Sequence, residues 1–474
     1  MSIMAFIETA ERLLPPRLRG TVMPLVGRIG AALTGDDEKA AAQRMALTAF
    51  VIRVVSAAIA FVSQIIQARI MGEFEYGIFV FVWVMVVLFG NLSCLGFHSA
   101  VIRFLPQYRS HGALAEIRGL TATARIFAML SASALALIGY LVIRLMGTAI
   151  EPYYALPVFL GLFILPMIAL GDVLDGTSRA HSWAVTALSP TYIIRPTLIL
   201  VFNVIAVWQG APQTAETAML AALAATYVTT CGQFLTVRLR LRGHYPRGPL
   251  KVDFPAWFRV AVPIFMIEGF GFLLTNSDVM VVGLYLDPEQ VAIYFAATKT
   301  MALVQFVYFS VKAAAAPRFS GMIADNDRRA LATFAGETVR WSFWPSFAVG
   351  LGLLLCGEFL LSLFGPAFTA GYPLMAILFA GIMAKALVGP GEVLLTMAGK
   401  QTLCVFLYAG ALTANILLNV TLIPIFGLTG AAAAAAGAMM VEAILLHLAV
   451  RRALGIVLFA FADPLALMNV KKAA

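Results

Sequence analysis

Four basic side chains interrupt long apolar runs of the chain: Arg53, Arg195, Lys299 and Lys385. A charge at a bilayer centre costs about 2.5–3.5 kcal/mol on insertion scales, so such residues favour a wet interior over lipid. Arg presents a planar fork of donors and Lys a compact charge, and both suit a phosphate-bearing anion. Spread through a hydrated cavity, they would hold an anionic cargo moderately, as its release requires. Competing uses are snorkelling or an ion pair for Arg53, and for Lys299 pairing with Glu268 or Asp278 of the neighbouring span.

Intramembrane carboxylates form the complementary set. Glu268 and Glu442 fall near mid-span, Asp278 toward the outside, and Asp172, Asp175 and Glu392 toward the cytosol. Protonation or sodium binding at such groups can bias which face of a transporter is open, so coupling to a proton or sodium gradient is expected of them; static pairing with buried cations is the alternative. Asn91 and Asn276, like Asn415 and Asn419, read as interhelical hydrogen bonders or polar cavity contacts. Glu73 and Glu75 superficially match the acidic metal-binding pair of membrane glycosyltransferases, but acidic residues at a helix start are also what the helix dipole favours.

Signatures of catalysis are missing. The chain has no GxxxxGK[ST] for an intrinsic ATPase and no GxSxG, HExxH or Cys/His set for a hydrolase. Cys94, Cys231, Cys356 and Cys404 stand singly in apolar runs, which predicts neither a disulfide framework nor a zinc site. The reading is therefore of a protein that is not an enzyme and uses no cofactor or metal.

The elements that must position the cations follow from composition. Of 474 residues, 61% are hydrophobic and 12% charged, against about a quarter charged in soluble domains, which predicts an all-α polytopic membrane protein. A span needs about 20 apolar residues. Stretches of that length fall near 45–68, 76–101, 122–145, 153–175, 182–208 and 217–238, then near 258–283, 291–313, 338–362, 372–397, 402–424 and 428–450. Pro190, Pro196, Pro263, Pro345 and Pro390, with Gly269, Gly271, Gly389 and Gly391, are expected to interrupt spans five, seven, nine and ten. The alanine run Ala431–Ala436 predicts a tight helix contact.

With about 12 spans, one set of loops and helix ends carries 27 of the 33 basic residues, which predicts cytoplasmic termini and reads the net charge of +9 as orientation rather than nucleic-acid binding. The predicted division is a cytoplasmic segment 1–44, a six-helix half 45–241, a basic linker 242–257, a second half 258–455 and a cytoplasmic tail 456–474. An offset of about 215 residues brings Gly72–Phe79 onto Asp287–Tyr294, and Arg103-Phe104-Leu105-Pro106 with Arg125 onto Ala316–Phe319 with Arg340. Six spans per unit give two parallel repeats about an axis along the membrane normal, with the cargo path between them.

Met71–Phe79, Arg103–Tyr108, Phe364–Phe368 with Gly371-Tyr372-Pro373, and above all Asn419–Ala432 carry a family resemblance. In their order and spacing these stretches resemble the polysaccharide-flippase branch of the multidrug/oligosaccharidyl-lipid/polysaccharide exporter superfamily, over roughly 45–455. The resemblance implies a V-shaped bundle like that of the multidrug exporters, opening alternately to the two faces of a bacterial inner membrane. It implies as cargo an undecaprenyl-pyrophosphate-linked oligosaccharide, flipped to the outer leaflet for O-antigen, capsule or exopolysaccharide assembly. Membrane lipids, and the polysaccharide polymerase and chain-length machinery, would be its partners. A multidrug cation antiporter of the same superfamily is the alternative expectation; a membrane glycosyltransferase would need larger external loops than these.

Overall fold

The computed structural model describes residues 38–147 and 151–465, and among them helices are joined by short turns with no strand. The first half holds α1 (Glu38–Ser93), α2 (Phe97–Ser110), α3 (Leu114–Met146), α4 (Pro152–Ala180), α5 (Ala184–Ser189), α6 (Arg195–Trp208) and α7 (Ala215–His244). The second holds α8 (Phe254–Tyr285), α9 (Pro288–Met301), α10 (Gln305–Ala324), α11 (Arg328–Leu355), α12 (Gly357–Ser362), α13 (Tyr372–Val388), α14 (Gly391–Met397) and α15 (Gln401–Leu454). The sequence offset survives in the elements: α3 answers to α11, and α7 to the part of α15 beyond Gly427.

Nine helical stretches of the described residues are long and apolar enough to cross a membrane. Two of them bend sharply, at Gly72 (φ 75°, ψ 173°) and Gly427 (φ 58°, ψ −133°), backbone conformations that a side chain disfavours. α11 has 28 residues but stands outside the nine: Arg340 with Trp341, Ser342, Trp344, Pro345 and Ser346 keeps even its more apolar part below the mean hydropathy of the others.

Not every proline behaves as the sequence predicts. Pro190 opens a π-helical turn, Pro190–Ile194, and Pro390 follows a true break between α13 and α14. Pro263 and Pro345 lie inside uninterrupted helices, so spans seven and nine are not broken. Neighbouring helices can re-satisfy the one backbone carbonyl that a proline frees. Conversely, the eighth span carries an unpredicted 3-10 turn at Ala302–Val304, where no proline or glycine marks it.

The alanine run does pack tightly. Ala431, Ala432, Ala434, Ala435 and Ala436 are buried, and a Cβ on Gly381 of α13 would come within 2.6 Å of Ala436 Cα. Small residues allow this close approach of α13 and α15 where lipid offers no hydrophobic drive between helices.

The halves meet at both ends. Toward Gly72, Gly77 lies so near α9 that an added Cβ would sit 1.8 Å from the Pro288 carbonyl oxygen, and Phe81 covers Gly283. Tyr76 packs edge-on to Phe295 and Phe368, and the Arg69 guanidinium donates to the carbonyls of Ser362 and Leu363. Toward the opposite end, Trp257 Nε1 donates to Tyr108 Oη at 2.8 Å, and Gly96 sits against the Ala261 carbonyl. There the linker residues fasten onto α3. Arg118 donates to the carbonyls of Pro246 and Pro249, and Lys251 Nζ meets Glu116 Oε1 at 2.9 Å, a bond that holds the Lys251 ammonium above its usual pKa.

The predicted segment 1–44 lies outside the described residues except for its last part, since α1 already begins at Glu38. The predicted tail is described to Leu465, and Ile456, Leu458 and Ala460 are buried against α11 and α14. That stretch, Ile456–Leu465, is a packed strap.

Candidate functional site

A cavity of about 390 Å³ lies within the second half, lined by side chains of α8, α9, α10, α13, α14 and α15. Three lysines face it: Lys299 from α9, Lys312 from α10 and Lys385 from α13. Asp278, Glu392 and Glu442 face it as well, with Tyr308 and Tyr408 between them. The wall is thus charged but balanced, and each charge has its own circumstances.

Lys385 Nζ lies 2.7 Å from Glu442 Oε1 on α15 and 5.5 Å from the centre of the Tyr308 ring. Lys312 Nζ lies 3.1 Å from Glu392 Oε1, whose other oxygen accepts from Tyr308 Oη at 2.6 Å. Lys299 differs from both. Its Nζ stands 5.0 Å from the centre of the Phe295 ring, and no described carboxylate comes within ion-pairing distance of it. Asp278, predicted as its partner, instead accepts from Tyr294 Oη at 2.8 Å, and its Oδ1 is buried without a hydrogen-bond donor.

Local sequence explains how these side chains arrive. Thr300 and Thr298 return their hydroxyls to α9 carbonyls, while Lys299 beside them presents its ammonium to the cavity. The 3-10 turn at Ala302–Val304 follows it and leads into α10, which carries Tyr308 and Lys312. Lys385 and Glu392 flank the Gly389-Pro390 break, so one discontinuous helix supplies both a cation and an anion. Broken helices in a bilayer are tolerated where they line a cavity or are covered by protein.

The other predicted site residues lie elsewhere. Arg53 is exposed, with its guanidinium 4.2 Å from the centre of the Tyr192 ring, and Arg195 stands 5.7 Å from that of Trp83. Neither lines the cavity of the second half, so the structure brings Lys299 and Lys385 together but not all four predicted cations. Asp172 accepts from Asn91 Nδ2 at 3.1 Å within the first half. Asn276 donates to the Phe272 carbonyl of its own helix at 3.0 Å, a helix contact rather than a cavity one.

Glu268 is also no partner of Lys299. It crosses between the halves to His98 Nε2 at 3.0 Å and accepts from Ser99 Oγ at 2.8 Å. Glu442 is the cavity partner of Lys385, and Glu75 accepts from the Ala215 amide at 2.7 Å, capping the start of α7. Lys312 and the two tyrosines are the cavity residues that the sequence does not mark, while Glu392 enters the cavity as one of the intramembrane carboxylates.

This architecture can be set beside known proteins. Residues 44–323 match the family described as polysaccharide biosynthesis protein. The chain belongs to that family. Its fold is that of the exporter superfamily: an inward-facing multidrug resistance MATE family transporter of the MOP superfamily aligns with a TM-score of 0.68 at 14% identity, over 86% of this chain and 98% of that one. The lipid II flippase MurJ, in an inward closed conformation, aligns at 0.67 with 13% identity, over 85% of this chain and 87% of that one. A MOP superfamily transporter from Pyrococcus furiosus, described as having reversed polarity in its binding pocket, aligns at 0.61 with 16% identity, over 90% and 97%. No curated protein matches by sequence. This member of the polysaccharide biosynthesis family is therefore an all-α, multi-pass membrane protein of the exporter fold.

Proposed function

We propose that the protein is a flippase for a lipid-linked oligosaccharide, moving an undecaprenyl-pyrophosphate-bound glycan from the cytoplasmic to the outer leaflet of a bacterial inner membrane. Both termini lie on the cytoplasmic side in this reading, and about twelve crossings form the two halves. The observation that carries the reading is Lys299, an ammonium that faces the cavity and makes no salt bridge among the described residues. A diphosphate is the kind of group that would complete it. Lys385 and Lys312 stand on the same wall, each with a carboxylate that an incoming anion would compete against. Arg53 and Arg195 supply the cationic contacts of the first half.

Family membership and the likeness to a lipid flippase support this cargo class over a soluble solute. The competing reading, a multidrug cation antiporter, has its own support in Asp278, Glu392 and Glu442, which would suit a cationic drug. The lysines weigh against it, because a cation would share the cavity with Lys299, Lys312 and Lys385. Coupling to a proton or sodium gradient belongs to the proposal too, with Asp278 as its carboxylate, since it is buried, makes no salt bridge among the described residues and has one oxygen without a donor.

A deletion strain tests the reading. It should lose surface polysaccharide and accumulate a lipid-linked oligosaccharide on the inner leaflet, with no change in drug tolerance. Normal polysaccharide with heightened drug sensitivity would transfer the assignment to the antiporter.

A further inference from the structure

The break between α13 and α14 creates a problem in hydrogen bonding that the end of the described chain solves. In a continuous helix the Leu387 carbonyl would accept from the amide of residue 391. Gly389 takes a φ of 66° and Pro390 follows, and the Gly391 amide turns to the Gly389 carbonyl at 2.8 Å. Leu387 thereby loses its intrahelical donor in apolar surroundings, where an unpaired carbonyl is costly. Its donor is the Ala460 amide, at 3.0 Å.

Ala460 belongs to the strap Ile456–Leu465 that follows α15. The strap is closed on itself by the Val457 amide and the Pro464 carbonyl, at 3.3 Å, and tied to α15 by His447 Nδ1 and the Leu458 carbonyl, at 2.8 Å. Leu458 lies against Gly391, Pro464 against Gly336, and Phe461 stands edge-on to Phe343. These are contacts on both sides of the break and on the helix behind it.

The strapped break is the one that separates Lys385 from Glu392. Those two residues pair with different helices, Lys385 with Glu442 on α15 and Glu392 with Lys312 on α10. An unsupported break would let α14 swing against α13 and alter both pairings together. We propose that Ile456–Leu465 is a positioning element of the cavity: it supplies the donor that the broken helix lacks and so fixes how the two lysine–carboxylate pairs are set within one wall. Its bearing on transport rests on the flippase reading, whereas the positioning itself does not.

The test uses the full chain in detergent without any ligand. Surface labelling with an amine-reactive reagent, read by mass spectrometry, gives the modification of Lys385 and Lys312 relative to Lys299, whose helix bears no strap contact named above. Ala460→Pro, which removes the donor, and His447→Ala, which removes the second tether, should each raise that ratio severalfold. Ala460→Gly keeps the amide and should leave it at the wild-type value. If Ala460→Pro does not fold, His447→Ala decides. A ratio unchanged in a folded variant lacking either tether overturns the proposal, while loss of flipping is not needed to read it.

Discussion

Lys385 and Glu442 meet at 2.7 Å from adjoining helices, yet they are unequally buried: the lysine side chain keeps 32% of its exposure and the carboxylate only 7%. Removing one member of a buried pair leaves the other charge stranded, at about 3–5 kcal/mol when burial is complete. The partial exposure of Lys385 reduces that cost on its side. Lys385→Met should therefore destabilise the protein by about 3 kcal/mol and Glu442→Gln by about 1 kcal/mol, with the double variant recovering most of the loss. Thermal unfolding in one detergent would check the order, and equal losses would contradict it.

Lys299 predicts a separation of stability from function. It makes no salt bridge among the described residues, although Asp278 is buried on the same wall, so Lys299→Met should lower the melting temperature less than Lys385→Met does. The same variant should lose surface polysaccharide in cells. Melting curves beside a polysaccharide blot test both halves of the statement, and normal polymer from a well-expressed variant would remove Lys299 from the cargo path.

Gly72 and Gly427 have open space where a Cβ would go, so the cost of alanine there is one of backbone alone. At φ 75°, ψ 173° Gly72 occupies a region that is nearly glycine-only, with a strain of about 1–3 kcal/mol for other residues. Gly72→Ala should lower stability by that amount, measured by thermal unfolding. Gly112→Ala, with nearby φ of 65° on a surface turn, is the comparison that should cost less.

Gly77 is governed by space instead. An added methyl would overlap the Pro288 carbonyl, so Gly77→Ala must push α1 from α9 and loosen the contact between the halves at the Gly72 end. Gly77→Ala should therefore lower the melting temperature in detergent more than Gly112→Ala, whose Cβ would meet open space. Equal melting temperatures for the two variants would mean that the two halves absorb the methyl without parting.

Much of the fold was legible because membrane helices must satisfy their backbone internally and advertise themselves by length and apolarity. Glycines at Gly72 and Gly427, the alanine run and the repeat offset all appear in the elements as the residues imply. Proline was a poorer guide, since whether Pro263 kinks its helix depends on neighbours that the sequence does not name. The turn at Ala302–Val304 has no residue that signals it at all.

The site was legible only in part. Lys299 and Lys385 were visible as isolated charges in apolar runs. Lys312 was not, because its position near a helix end looks like an ordinary interfacial charge, although the α10 that follows the 3-10 turn at Ala302–Val304 carries it to the cavity wall. The strap was hidden for a similar reason: Ile456–Ala462 follows a helix end and reads as a tail, although its run of apolar residues was a signal of burial.

The central claim is that a lysine-lined cavity carries a pyrophosphate-linked glycan across the bilayer. Its most direct test is translocation of a fluorescent undecaprenyl-pyrophosphate oligosaccharide in vesicles containing the purified protein, read by whether an external reagent can reach the glycan. The account predicts transfer with the parent chain and background transfer with Lys299→Met. Transfer by both at equal rates, or by neither while a cationic drug is moved, would contradict it.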